Sequence, residues 1–131
     1  MTRGADRTTA SGNSTSGWIF GGTGSSVVMR ITYVNDVTVA PVRSSTRSNI
    51  EASRSTGNAT DAWVSFGGLT SVDRIIFAND IVALVSKGNM PSIQSYSYAS
   101  GNSSDGWFAG GFSSNFSRVA RITFANDTVA A

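Results

Sequence analysis

The most regular alternation in the chain is the run 29–34, MRITYV, where Ile31 and Tyr33 fall on one face and Arg30 and Thr32 on the other. Alternation with a period of two predicts a half-buried β-strand. The pattern returns at 73–78 with Ile75 and Phe77, and at 120–125 with Ile122 and Phe124. Each run leads into an Asn-Asp pair, beginning at Asn35, Asn79 and Asn126. Asn and Asp tolerate the left-handed conformation best after Gly, so each pair predicts a two-residue hairpin turn. A further strand follows at 37–42, at 81–85 and, shorter, at 128–131. No segment shows a helical period.

Two more strands are predicted upstream of each alternating run. A Gly-Asn pair opens a polar turn at Gly12, Gly57 and Gly101, at spacings of 45 and 44 residues, and a Trp lies six residues after each Gly, at Trp18, Trp63 and Trp107. Small-residue strands are expected before these turns, at 7–11, 50–56 and 94–100, and Trp-led strands after them, at 18–20, 63–66 and 107–109. The Trp strands run into Gly21-Gly22, Gly67-Gly68 and Gly110-Gly111. Paired glycines at a strand end suit positive φ or a close backbone approach. Pro41 and Pro91 lie at or beyond the fourth strands, where a missing donor costs little.

The chain is therefore three copies of one four-stranded unit, at about 1–41, 42–86 and 87–131, forming a single repeat domain over 1–131. A period in the forties marks an architecture in which each unit buries its apolar face only against its neighbours. The spacing from the turn Asp to the next Gly-Asn is constant at 21 residues, whereas the segments after the Gly-Gly pairs, 23–28, 69–72 and 112–119, vary in length. Variable loops after a fixed strand collect on one face, often the binding face.

Composition narrows the chemistry. Charged residues make up 14% of the chain, and polarity rests on Ser, Thr, Asn and Gly, which suits short strands and turns rather than long surface helices. Ten basic residues against eight acidic ones give a net charge of +2, and the arginines are scattered, so no basic track for nucleic acid is expected. There is no Cys, which excludes disulfide and thiolate chemistry, and no His, the usual general base and metal ligand. The segment 1–13 has no apolar centre of the kind a signal peptide carries, and no apolar run approaches the roughly 20 residues of a spanning helix.

The units GNSTSGWIFGG…MRITYVNDVTVA, GNATDAWVSFGG…DRIIFANDIVAL and GNSSDGWFAGG…ARITFANDTVAA resemble a kelch-like β-propeller repeat, in a variant found in tailed-phage and large-virus structural and fibre proteins. The resemblance spans about 120 of the 131 residues. It implies an all-β chain of three four-stranded blades. Propellers close with about four to eight blades, so the expectation is a homodimer completing a six-bladed ring. The four residues after Asp127 and the eleven before Gly12 together fall short of the internal spacing of 21, as a blade boundary between chains would. A β-trefoil-like monomer is the alternative, with three units of similar length but without its Gln-x-Trp signature here. The second unit departs from the pattern at Ala62 and by one extra residue before Gly67, which suggests a β-bulge and puts the equivalence of Trp63 in question.

No catalytic, cofactor or metal site emerges. Asp36, Asp80 and Asp127 recur in the turns, where the simplest role is capping their own backbone, and an active site needs a unique constellation rather than a repeated residue. Arg30, Arg74 and Arg121 are expected to pair with nearby Asp across strands or between blades, with anionic sugars as the alternative partner. Trp18, Trp63 and Trp107 are expected between blades, with sugar stacking as the alternative. The non-repeated loop 112–119 offers Phe112, Asn115, Phe116 and Arg118, which with Trp107 form the candidate contact surface. The expected function is a non-enzymatic structural or adhesive module, as a virion surface, decoration or fibre component. Its partners would be itself, other virion proteins or cell-surface glycans, and the alternative is a soluble carbohydrate-binding lectin.

Overall fold

In a computed structural model of the chain, residues 7–21, 25–39, 51–83, 89–91, 96–111 and 118–130 are described. They are all β. The first unit contributes β1 (Thr9–Gly12), β2 (Ser16–Phe20), β3 (Val28–Thr32) and β4 (Val37–Val39). The second contributes β5 (Glu51–Gly57), β6 (Asp61–Gly67), β7 (Val72–Ile76) and β8 (Ile81–Ala83). The third contributes β9 (Tyr98–Gly101), β10 (Asp105–Ala109), β11 (Val119–Thr123) and β12 (Thr128–Ala130). Each unit is one four-stranded antiparallel sheet with its strands in chain order.

The three sheets share one register. Trp18 pairs with Arg30, Trp63 with Arg74 and Trp107 with Arg121, so Trp63 is equivalent to the other two despite Ala62. The irregularity expected in the second unit falls on the partner strand. The pairing slips between Glu51 and Arg54 of β5, and Ala52 there takes a left-handed φ of 52°. Two residues of β5 there face one of β6, so the bulge lies on β5 at the end far from Trp63, and the Trp end keeps the common register.

The turns differ from the expectation. The last pairs of the third and fourth strands are Thr32–Val37, Ile76–Ile81 and Thr123–Thr128, so four residues, not two, make each connection. Asn35, Asn79 and Asn126 accept from the backbone N–H two residues on, each at 3.2 Å, and Asp36, Asp80 and Asp127 take φ of 53°, 58° and 57°. The capping is thus done by Asn, and each Asp side chain is released for other contacts. The aromatic two residues before each Asn leaves the strand and joins the turn.

Glycines at the ends of the Trp strands serve conformation rather than space. Gly68 and Gly110 adopt φ of +87° and +74°, and a Cβ at either would meet nothing within 4 Å. Gly22 lies outside the described residues.

The cores lie between the sheets. Trp18, Phe20 and Val28 pack against Ala62, Val64, Phe66, Ile75 and Phe77. Trp63, Val72 and Met90 pack against Phe108, Ala120, Ile122 and Phe124. Burial along the Trp strands reports the stacking order. In β2 the faces of Ser16, Trp18 and Phe20 are buried, in β10 those of Gly106 and Phe108, and in β6 both faces are buried from Asp61 to Phe66. Among the described residues, the middle sheet is covered on both sides and each outer sheet on one.

Among the described residues, β5 lies beside both β1 and β9, while β4, β8 and β12 each adjoin only their own third strand. The sheets therefore converge at their first strands. Among the described residues every ladder between named strands falls within a unit, and pairing between units is confined to the isolated bridge of Ser71 with Asn89. A β-trefoil barrel requires strand pairing between units to close, so the trefoil alternative is not the fold of the described residues.

Candidate functional site: the joints between the sheets

Because the turn aromatics leave their strands, Phe77 and Phe124 each reach the Trp of the preceding sheet. Phe77 stacks on Trp18 with ring centroids 4.1 Å apart and an interplanar angle of 11°. Phe124 stacks on Trp63 at 4.0 Å and 6°. Such pairs contribute about 0.5–1.5 kcal/mol beyond the area they bury. Three residues further on, the turn Asp presents its carboxylate to the same indole. Trp18 Nε1 donates to Asp80 Oδ1 at 2.8 Å, and Trp63 Nε1 donates to Asp127 Oδ1 at 2.7 Å.

The second carboxylate oxygen takes the arginine paired with that Trp. Arg30 Nη1 donates to Asp80 Oδ2, and Arg74 Nη1 reaches Asp127 Oδ2 at 3.4 Å. Each joint is thus a Trp–Arg pair on one sheet gripping an aromatic–Asp pair on the next. Arg74 also lies over the Trp63 ring, its Cζ 5.3 Å from the centroid, in a cation–π contact.

Beside the arginine the two joints differ. In the second unit Arg74 Nε donates to Asp61 Oδ1 at 2.9 Å, and in the third Arg121 Nε lies 3.9 Å from Asp105 Oδ1. The equivalent residue in the first unit is Ser16, and the buried Nε of Arg30 has no acceptor. The Asp61 hydrogen bond is the chief reason that the Arg74 guanidinium is held above its ordinary pKa; burial opposes it, and the charges of Asp61 and Asp127 add to it.

Where the first strands converge, the backbones approach closely. A Cβ on Gly106 would overlap the Thr56 side chain, and Thr56 Oγ1 donates across the gap to the Ser100 carbonyl at 3.1 Å. One unit earlier Ala62 replaces the Gly, and the residue equivalent to Thr56 is Ser11, one methyl smaller. The departure of the second unit from the repeat pattern is matched by its neighbour.

Each joint has an open groove at its rim. The first, about 320 Å³, is lined by Asn13, Ser16, Trp18, Arg30, Thr60 and Phe77 among others. The second, about 260 Å³, is lined by residues including Asn58, Asp61, Trp63, Ser104 and Phe124. The Asn side chains there are engaged in the polar turns: Asn58 Oδ1 accepts from the N–H groups of Thr60 and Asp61, as Asn13 does from Thr15 and Ser16. Among the described residues no group of three His, Cys, Asp or Glu side chains is placed to hold a metal ion.

The structure brings Trp18, Trp63, Arg30, Arg74, Asp80 and Asp127 together at the joints. Trp107, Arg121 and Asp36 lie on the two outer faces, where no neighbouring unit joins them among the described residues. Of the loop candidates, Arg118 is exposed and its carbonyl accepts from Gly110 N at 3.1 Å, while Phe112, Asn115 and Phe116 lie outside the described residues. Sequence reasoning assigned Phe77 and Phe124 to strand faces and missed their partnership with Trp. The signal that carries it is an aromatic fixed two residues before each Asn-Asp pair. Neither a family model nor a curated protein matches the chain.

Proposed function

We propose that the three sheets are kelch-like propeller blades and that the chain is a non-enzymatic structural or adhesive module, acting on a virion surface or fibre and closing by self-association into a six-bladed ring. The observation that carries this reading is the repeated joint, in which the same Trp, Arg, aromatic and Asp lock one sheet to the next while the first strands converge. Such a frame holds its loops rigidly at equal intervals, and weak contacts made by equivalent loops add through avidity. A structural role also fits the acids, since Asp61, Asp80 and Asp127 are each held by an arginine or an indole at the joints. The virion assignment rests on the repeat motif.

Light scattering on a sizing column tests the ring: a mass near twice the 13.7 kDa of one chain is expected, and a monomer at all accessible concentrations overturns it. A second reading, a carbohydrate-binding lectin, is favoured by the two grooves, whose aromatic floor and hydroxyl and amide rim suit a sugar ring. Discrete binding on a glycan array, lost when Thr60 or Ser104 at a groove rim is replaced by a bulky residue, supports the lectin over the purely structural module.

A further inference from the structure

The joint described above is made twice inside the chain, and each outer sheet carries one half of a third. On the third sheet Trp107 is half-buried and the Arg121 side chain is 56% exposed, with Asp105 beside it as Asp61 is beside Arg74. No second ring stacks on Trp107 among the described residues. On the first sheet Tyr33 occupies the place of Phe77 and Phe124 but is 49% exposed, against 5% for each of those two. Asp36 occupies the place of Asp80 and Asp127, with the same left-handed backbone, and is exposed. Gly17, Ile19, Met29 and Ile31 form the rest of that face and are half-buried, whereas their counterparts in the middle sheet, Ala62, Val64, Asp73 and Ile75, are buried.

We propose that a second copy of the chain docks on the third sheet in a head-to-tail joint, Tyr33 of one copy stacking on Trp107 of the other while Asp36 accepts from Trp107 Nε1 and from Arg121. This deepens the self-association reading above and rests on it. The occupant is identified by continuity: the surface that fits a Trp–Arg face is the aromatic–Asp face, and the chain itself carries one of each. Charge agrees, since one outer face offers the largely exposed Arg121 and the other the exposed carboxylate of Asp36. The two patches differ, so the contact is heterologous, and a ring of two copies uses one head and one tail from each. Gly17 leaves room for Tyr33 on its own sheet, because a Cβ there would lie 2.7 Å from the Tyr33 hydroxyl.

The test is the mass of the full chain over a range of concentrations, for the wild type and for Trp107→Ala, Tyr33→Ala, Asp36→Asn and Tyr33→Phe. The altered side chains are exposed or half-buried, and Asn is compatible with the left-handed backbone at 36, so thermal unfolding should show folded variants. Trp107→Ala and Tyr33→Ala are each expected to raise the dissociation constant by about 30-fold or more, as loss of an aromatic anchor does. Tyr33→Phe, which copies the inner joints, is expected to associate at least as tightly as the wild type. Mixing Trp107→Ala with Tyr33→Ala restores one intact joint, so mixed dimers should form where neither variant dimerises alone. An associated wild type whose mass is unmoved by all three disruptive variants overturns this joint and leaves self-association standing. A wild-type monomer at every concentration overturns both.

Discussion

The two inner joints have the same frame and differ in their fillings. Between the first and second sheets, Arg30 has one carboxylate, Asp80, and a buried Nε without an acceptor, because Ser16 stands where the later units have Asp. Between the second and third sheets, Arg74 is held by both Asp61 and Asp127. At the converging strands the order of size is also exchanged, with Ser11 preceding Ala62 in one joint and Thr56 preceding Gly106 in the other. The stacked rings and the indole-to-carboxylate bond are fixed in both. The lesson is that the aromatic–Asp grip defines the joint, while the polar and steric details vary in compensating pairs.

The grip can be broken most severely through its ring. Trp63→Ala removes a side chain 1% exposed and is expected to cost about 3–5 kcal/mol in denaturant unfolding. The equivalent loss at Trp107, on which no ring stacks among the described residues, should cost the single chain far less. Equal losses at both positions would erase the distinction between inner joint and outer face. Next, Asp127→Ala strands the Trp63 indole and one hand of Arg74, with an expected cost of about 1–3 kcal/mol.

A steric test sharpens the exchange at the converging strands. Gly106→Ala should destabilise by about 1–3 kcal/mol through its overlap with Thr56. Adding Thr56→Ser should recover much of that loss by copying the Ser11 and Ala62 combination, and additive losses in the double variant would break the proposed compensation. A smaller gain is expected from Ser16→Asp. It gives Arg30 Nε the acceptor that Arg74 has, for a stabilisation of about 1 kcal/mol, and a loss of stability would show that the site does not accept a carboxylate.

The smallest effect expected is a flat line. The guanidinium pKa of Arg74 is raised on folding, so its contribution is complete below the ordinary guanidinium value and lost only as pH climbs through the folded one. The stability difference between the wild type and Arg74→Met should thus stay constant from neutral pH to about pH 10. A slope in that window would place the pairing under the control of another group.

Much of the fold was legible because it is local. Alternation at 29–34 and its repeats, the Gly-Asn and Asn-Asp turns and the Gly-Gly strand ends place all twelve strands within a few residues. The errors cluster where a side chain serves a neighbour rather than its own hairpin. Tyr33, Phe77 and Phe124 read as strand residues, one short of the end of each run, yet they sit in four-residue turns. Asp80 and Asp127 read as turn caps, yet Asn79 and Asn126 cap the turns and the carboxylates cross to the next sheet.

By itself, then, the sequence determined the repeat, the strand order within each unit and the chemistry available at each position, since these follow from backbone preferences and from pairings a few residues apart. Only the tertiary structure decided which face of each sheet is buried. The three units carry nearly the same pattern, yet Trp18 and Trp63 are buried and Trp107 only half-buried, and Phe77 and Phe124 are buried while Tyr33 is exposed. Burial here is set by place in the stack, not by residue type. The physical reason is that the contacts joining the sheets are made by side chains of residues some 44 to 64 positions apart, a distance over which no local pattern carries information.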